Sequence, residues 1–219
     1  MIKTVIFDLD GTLLNRDESV KHFIFGQYER KNDYLNHIPK EAYTNRFIEL
    51  DNRGYVWKDK VYRQLVEEFN IKLTWESLLD DYVNEFKYSC IAFPNLICML
   101  EELKDNSTHI GIITNGKGQF QMNNIKALDI EKYFDTILIS EWEGIKKPDP
   151  LIFRKALNQL NTEPYQSIFV GDHPEKDIQA AHKIGMKTIW KKDNFWHDVC
   201  ADYRIDNLSE IPAIIKSGK

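Results

Sequence analysis

Two hydrophobic periods alternate along the chain. Short apolar runs occur at residues 5–7, in His109–Thr114 (HIGIIT), at 136–140 (TILIS), in Ser167–Gly171 (SIFVG) and at 187–190 (KTIW), each bounded by polar or glycine-containing turns. Runs of this length, rich in β-branched residues, predict strands buried on both faces. Helical spacing returns between them. Leu96, Met99, Leu100 and Leu103 predict one helix, and Phe120, Ile125 and Leu128 the next. Ile152, Phe153, Ala156, Leu157 and Leu160 form a third face, behind Asp149 as N-cap and Pro150 at the first helical position. Ile178, Ala181 and Ile184 predict a helix stopped by Gly185. Tyr203–Ile205 predicts a short sixth strand, and the tail after Ser209 carries little pattern. Apolar strands alternating with helices predict an α/β fold with a doubly wound parallel sheet.

Between the first strand and residue 93 only the helical period is found. Val20, Phe23, Ile24 and Tyr28 mark one helix, Tyr43, Phe47 and Leu50 a second opened by Pro39, and Val61, Leu65 and Phe69 a third. Trp75, Leu78, Leu79, Tyr82 and Phe86 mark a fourth, with Thr74 as N-cap. The expected organisation is a discontinuous core, residues 1–15 and 94–219, with an inserted α-helical domain at 16–93.

The chemistry gathers at the strand ends, where ligands bind in open α/β sheets. The first strand ends Asp8-Leu9-Asp10-Gly11-Thr12. Carboxylates two residues apart start on the same side of a strand and repel each other. A hard divalent cation such as Mg²⁺ removes that cost, because it takes oxygen ligands, and the pair reads as a Mg²⁺ site with a carboxylate free to attack. The second strand ends Thr114-Asn115-Gly116, suited to phosphoryl oxygens through the threonine hydroxyl and backbone N–H groups. The third leads to Lys146-Lys147-Pro148-Asp149, and the fourth to Asp172 and Asp177, five apart across a strand-to-helix junction. Singly, the Asp8–Asp10 stretch favours function, the Thr114-Asn115 and lysine groups favour ordinary turn chemistry, and the Asp172–Asp177 pair is balanced against a helix cap. A parallel sheet brings all four ends to one rim, and chance turn chemistry rarely supplies two acids, a hydroxyl, a cation and two more acids in that order.

Composition narrows the setting. The 219 residues are 42% hydrophobic and 29% charged, with a formal net charge of −5, which disfavours a nucleic-acid polymer as ligand. Three cysteines, Cys90, Cys98 and Cys200, with no CxxC, predict neither a disulfide framework nor a zinc site, and no pair among the six histidines has metal-ligand spacing. No apolar run is long enough for a membrane span, and the N-terminus enters the first strand without a signal-peptide pattern, so the expected location is cytoplasmic. Oligomeric state has no signature in the sequence.

The stretches VIFDLDGTLL, HIGIITNG, KKPDPLIF and VGDHPEKDIQAA resemble, in order and spacing, the four motifs of the haloacid dehalogenase superfamily, most of whose members are Mg²⁺-dependent phosphatases. The insert lies where that family places its C1-type cap. The resemblance implies that Asp8 is the nucleophile forming an aspartyl-phosphate and Asp10 the acid and base. It implies Mg²⁺ held by Asp8, the Asp10 backbone carbonyl and Asp172, supported by Asp177 and Thr12. Thr114, Asn115 and Lys147 are then the phosphate-binding residues, Lys147 rather than Lys146 because it directly precedes Pro-Asp. Asp10 argues against metal-free 2-haloacid dehalogenation, whose motif lacks the second aspartate. A phosphosugar mutase, and a regulatory binding protein on the same fold, remain alternatives. The stretches are similar to the bacterial pyrimidine 5′-nucleotidase branch, which implies a small phosphorylated metabolite such as a nucleoside 5′-monophosphate; phosphoglycolate and sugar phosphates compete. In the insert, Arg46, Arg53 and Lys58 are candidate cations for a second anionic group, and Phe47, Tyr55 and Trp57 candidate stacking residues, against the plainer reading of solvated face and bundle core.

Overall fold

The computed structural model describes residues 2–217. They form two compact units, one running to Asn15 and resuming at Ala92, the other Arg16–Ile91. The described strands are β1 (Thr4–Phe7), β2 (His109–Thr114), β3 (Thr136–Ile139), β4 (Ser167–Gly171), β5 (Lys187–Lys191) and β6 (Tyr203–Ile205). The main helices are α1 (Arg16–Arg30), α2 (Lys40–Asp51), α3 (Lys58–Glu68) and α4 (Trp75–Glu85) in the second unit, then α5 (Leu96–Asp105), α6 (Gly118–Ala127) and α7 (Pro150–Gln159) in the first.

The strands make one six-stranded sheet in the order β3-β2-β1-β4-β5-β6, with every neighbouring pair parallel, as the alternating periods predict. Phe7, last in β1, lies beside Ile112 on one side and Val170 on the other. The strand order therefore reverses at β1, which opens a crevice beyond its carboxyl end. Ile6, Ile113, Leu138 and Phe169 form a core with Ile152, Phe153, Ala156 and Leu157 of α7. The rings of Phe153 and Phe169 meet edge to face at 5.1 Å. Helix α5 buries Leu96, Met99, Leu100 and Leu103 and packs along β2. Asp149 caps α7 as expected, accepting from the Leu151 N–H at 2.9 Å, with Pro150 at the first position.

Three local features differ from the periodicity. Ser140 does not end β3 but begins a helical turn, Ser140–Glu143. Ile178 lies in a π-helical turn, Pro174–Gln179, which runs into the short helix Ala180–Lys183. The tail forms the helix Ile211–Ser217, entered through a capping box between Asn207 and Glu210. That N-x-x-E signal is present in the sequence without the apolar period that would draw attention to it.

The second unit is a helical bundle around a cluster of aromatic rings. Phe23, Phe47, Tyr62, Tyr82 and Phe86 are buried there, with Phe47 and Tyr62 centred 5.4 Å apart. Thr74 caps α4 by accepting from the Ser77 N–H at 3.3 Å. Gln27 crosses this core with both ends of its amide used. Nε2 donates to Leu78 O and Asp81 Oδ2, each at 3.0 Å, and Oε1 accepts from the hydroxyls of Tyr43 at 3.1 Å and Tyr62 at 2.9 Å. A polar group so satisfied is tolerated in an apolar core and specifies its packing. Among the described residues no helix is long and apolar enough to cross a membrane.

Phe153 is fully buried in the layer that carries the site. Phe153→Ala is expected to cost about 3–5 kcal/mol of stability, read from the midpoint of guanidinium unfolding. A cost under about 1 kcal/mol would mean that this layer is not tightly packed.

Candidate active site

Asp8 follows β1 directly, and its N–H still donates to Val170 O at 2.9 Å, so the ladder between β1 and β4 fixes its backbone. The chain then turns tightly: the N–H groups of Leu13 and Leu14 both reach Leu9 O at 2.9 Å. Gly11 makes the turn with φ +86°, and a Cβ there would lie 2.5 Å from Asp172 Oδ2. Glycine is needed at this position for its backbone and for the space the Asp172 carboxylate fills.

The Lys147 ammonium is the centre of the site. Nζ donates to Asp8 Oδ1 at 2.6 Å and to Asp177 Oδ1 at 2.7 Å, and the side chain is 3% exposed. Its backbone is gripped as well. Asn115 donates from Nδ2 to Lys147 O and accepts from the Lys147 N–H at Oδ1, both at 2.9 Å. Strand end β2 thereby holds the loop after β3, which contains a cis Lys147–Pro148 peptide. The Asn115 side chain, expected at a phosphate, is thus committed to this clamp, and its backbone N–H is what remains for an anion. Asp177 accepts at its other oxygen from the His173 N–H at 3.0 Å. Gly171 makes room for it, since a Cβ there would lie 2.5 Å from Asp177 Cβ. Thr12 is fully buried and its hydroxyl points to Asp8 Oδ2 at 3.4 Å.

Asp8, Asp172 and Asp177 each offer an oxygen, all within 4.8 Å of one another. Three carboxylates thus crowd around the Lys147 ammonium. Burial, the dominant effect, together with the charges of Asp177 and Asp10, outweighs the attraction of Lys147 and raises the Asp8 carboxyl to about 7. Burial and the charges of Asp8 and Asp177 likewise raise Asp172 well above the usual carboxylate range. Burial works against the charge on Lys147, but Asp177 and Asp8 overcome it and its pKa rises. An all-oxygen set of clustered carboxylates fits a divalent cation, whose opposite ligands stand about 4 Å apart for Mg²⁺. Both oxygens of Asp177 already have donors, Lys147 at Oδ1 and the His173 N–H at Oδ2.

Asp10 lies outside that cluster. Its Oδ2 accepts instead from Gln121 Nε2 of α6 at 2.6 Å, and the same nitrogen donates to Thr114 Oγ1 at 2.7 Å. Gln121 is a site residue that periodicity conceals. Phe120, expected on the inner face of α6, is half-buried, while Gln121 and Asn124 are buried beside Ile125. His173 is half-buried, and its Nδ1 accepts from the N–H groups of Glu175 at 3.1 Å and Lys176 at 3.2 Å, capping the turn that carries Asp177. The Trp142 indole lies against Gly118, where a Cβ would fall 1.8 Å from Nε1.

Two of the candidate cations, Arg46 and Lys58, are held by acids of the second unit. Arg46 binds Glu68 at 2.6 Å and Glu49 at 2.7 Å. Lys58 is not on a solvated face; it is 2% exposed and pairs closely with Asp51, which Arg16 also contacts at 2.7 Å. Phe47 is bundle core, whereas Tyr55 and Trp57 are exposed. Arg53 follows Asn52 in left-handed backbone, φ 56° and 44°.

Residues 5–191 match the family model for haloacid dehalogenase-like hydrolases. The chain belongs to that family. It is 33% identical over 232 residues to a glyceraldehyde 3-phosphate phosphatase of Pyrococcus furiosus, covering 98% of this chain and 93% of that protein. It is also 33% identical to the pyrimidine 5′-nucleotidase YjjG of Escherichia coli, over 114 residues, 52% of this chain and 50% of that protein. A crystal structure of a haloacid dehalogenase-superfamily phosphatase from Thermococcus onnurineus superposes with a TM-score of 0.69 at 27% identity, covering 98% of both chains.

Two outcomes are expected. Because the Asp8 pKa is raised from 3.8 to about 7 in the folded protein, the native state binds the extra proton, and stability falls as pH rises from about 4 to 7. In EDTA, Asp8→Asn should remove much of that fall and melt higher than the parent at pH 8; an equal fall in both proteins would contradict the raised pKa. Gly171→Ala, a change that stabilises by roughly 0.4–1 kcal/mol where the backbone and space allow it, should instead destabilise by about 1–3 kcal/mol as overpacking. Urea unfolding gives its sign.

Proposed function

We propose that the protein is a Mg²⁺-dependent phosphatase that hydrolyses a small phosphate monoester through an aspartyl-phosphate on Asp8. The observation that carries this reading is the separation of the two aspartates: Asp8 is held by the Lys147 ammonium, and Asp10, two residues away, by a neutral amide. In the first step an Asp8 oxygen bonds to phosphorus as the ester P–O bond breaks, and the Asp10 carboxyl gives its proton to the departing oxygen. In the second, water bonds to phosphorus, Asp10 takes the water's proton, and Asp8 leaves as a carboxylate with release of inorganic phosphate. Lys147, Thr114 and the Asn115 N–H stabilise the charge on the transferring oxygens. Asp8, Asp172 and the Asp10 backbone carbonyl would hold Mg²⁺, which would supply positive charge among the clustered carboxylates. Asp177 keeps Lys147 in place, and Thr12 supports Asp8.

The names of the relatives point to two substrate classes, a three-carbon sugar phosphate and a nucleoside 5′-monophosphate. The first rests on a match along almost the whole chain, the second on a match along half of it. Free Cys90, Cys98 and Cys200 fit a reducing, cytoplasmic compartment.

The test is phosphate release from triose phosphates, nucleoside monophosphates, pentose phosphates and phosphoglycolate, with Mg²⁺ or EDTA. Release should require Mg²⁺ and fall by on the order of 10³-fold or more in Asp8→Asn, and acid quenching should trap label on the parent protein. Folded protein that releases phosphate from no member, or Asp8→Asn that retains full activity, sinks the reading.

A further inference from the structure

One buried side chain beside the two aspartates has no part in the reaction just described. Gln121 is 2% exposed. Its Nε2 lies 2.6 Å from Asp10 Oδ2, 2.7 Å from Thr114 Oγ1 and 3.3 Å from Asn115 O. A carboxylate and a backbone carbonyl accept in this environment, so the atom facing both is the amide nitrogen. The amide oxygen accepts from Asn124 Nδ2 at 3.2 Å, one turn along the same helix face. Gly116 leaves the room required, since a Cβ there would stand 2.8 Å from Gln121 Cγ. The glycine of Thr114-Asn115-Gly116 thus has a packing reason that points to this amide.

We propose that Gln121 is the positioning residue of Asp10, keeping its carboxyl apart from the cation cluster and leaving Oδ1 as the oxygen that gives and takes the proton. The proposal rests on the phosphatase reading above. Two acids leaving one strand end two residues apart must do different work, and their own chemistry does not distinguish them. Their partners do. Asp8 joins Asp172 and Asp177 around the cluster and faces an ammonium. Asp10 is tied on the α6 side by a neutral donor that an approaching cation neither attracts nor displaces by charge. With an N–H directed at Oδ2, a carboxyl proton there would face the amide hydrogen, so it resides on Oδ1. In the first step the Oδ1–H bond breaks as the departing oxygen gains that hydrogen. In the second, Oδ1 accepts the hydrogen of the attacking water. The Gln121 N–H stays on Oδ2 through both. The second amide hydrogen goes to Thr114 Oγ1, which leaves the threonine's own O–H to donate to a phosphoryl oxygen.

The experiment uses Gln121→Met in the full chain, which keeps length and loses the donor. Its single-turnover aspartyl-phosphate formation is compared for an alkyl phosphate, whose departing oxygen needs a proton, and 4-nitrophenyl phosphate, whose departing oxygen does not. The expected loss is about 10- to 100-fold for the alkyl ester, a part of the ~10²–10⁴-fold that positioned proton transfer supplies. It should be several-fold smaller for the aryl ester, with KM little changed. In an Asp10→Asn background the substitution should have almost no further effect on the alkyl ester. Should Gln121→Met not fold by thermal melt, Gln121→Glu, which keeps the shape and sets a charge against Asp10, is read by the same contrast. Equal loss on both esters, or undiminished loss in the Asp10→Asn background, overturns the positioning role while the phosphatase reading stands. A wild-type protein without turnover on any phosphate overturns both.

Discussion

The rest of the site depends on one buried cation. The Lys147 ammonium joins Asp8, at the end of β1, to Asp177, in the turn after β4, and its own backbone is gripped by Asn115 at the end of β2. The lysine belongs to the loop after β3. The ends of the four strands around the switch point are therefore tied to a single charge in a place that water barely reaches. Buried pairs of this kind gain little over apolar packing when complete and cost several kcal/mol when one partner is lost. Here three carboxylates crowd around the Lys147 ammonium. Burial and mutual repulsion raise the pKa values of Asp8 and Asp172, and a proton or a divalent cation relieves the repulsion. Structure and chemistry make opposite demands on the same groups: the fold is calmest when the carboxyls are neutral, and a nucleophile must be ionised.

Glycines let this charge set condense. At Gly11 the missing Cβ would touch the Asp172 carboxylate, at Gly171 the Asp177 side chain, and at Gly116 Gln121. In each case another side chain occupies the volume that any other residue would claim. The turn signals at the ends of β1, β2 and β4 are thus also packing statements, and each motif's glycine serves a residue outside its own turn or farther along it.

Most of the sheet was legible in the sequence, because β1–β5 are short, mainly apolar runs rich in β-branched residues and both faces of a parallel sheet are covered. The residues that converge on Lys147 were legible too, through the order of chemistry at successive strand ends. Their partners were not. Asn115 meets the Lys147 backbone 32 positions away, and no local window relates the two. Gln121 and Asn124 occupy the buried face of α6, where a hydrophobic count assigns polar residues to solvent. The same rule misplaced Lys58, whose partner Asp51 lies seven residues earlier across a left-handed turn. The capping role of His173 has no local signal either, since its ring nitrogen faces N–H groups only once the π-helical turn has formed. Periodicity reports which side of an element is wet on average. It is silent about polar groups that are buried because they are satisfied.

The connections to the second unit carry a consequence of their own. Leu14 and Ala92 form an isolated antiparallel bridge, and the Phe93 N–H reaches Leu13 O at 3.0 Å. The chain thus leaves and re-enters the sheet-bearing unit at neighbouring points, closed by its own backbone. A long excursion between two such anchors adds only a slowly growing closure entropy. It transmits no register to β1, whose neighbours are set by β2 and β4. Evolution can lengthen, shorten or replace the excursion as a cassette while the strand that bears Asp8 keeps its place. A stretch free to change in length and the strand end that carries Asp8 thus stand only a few residues apart.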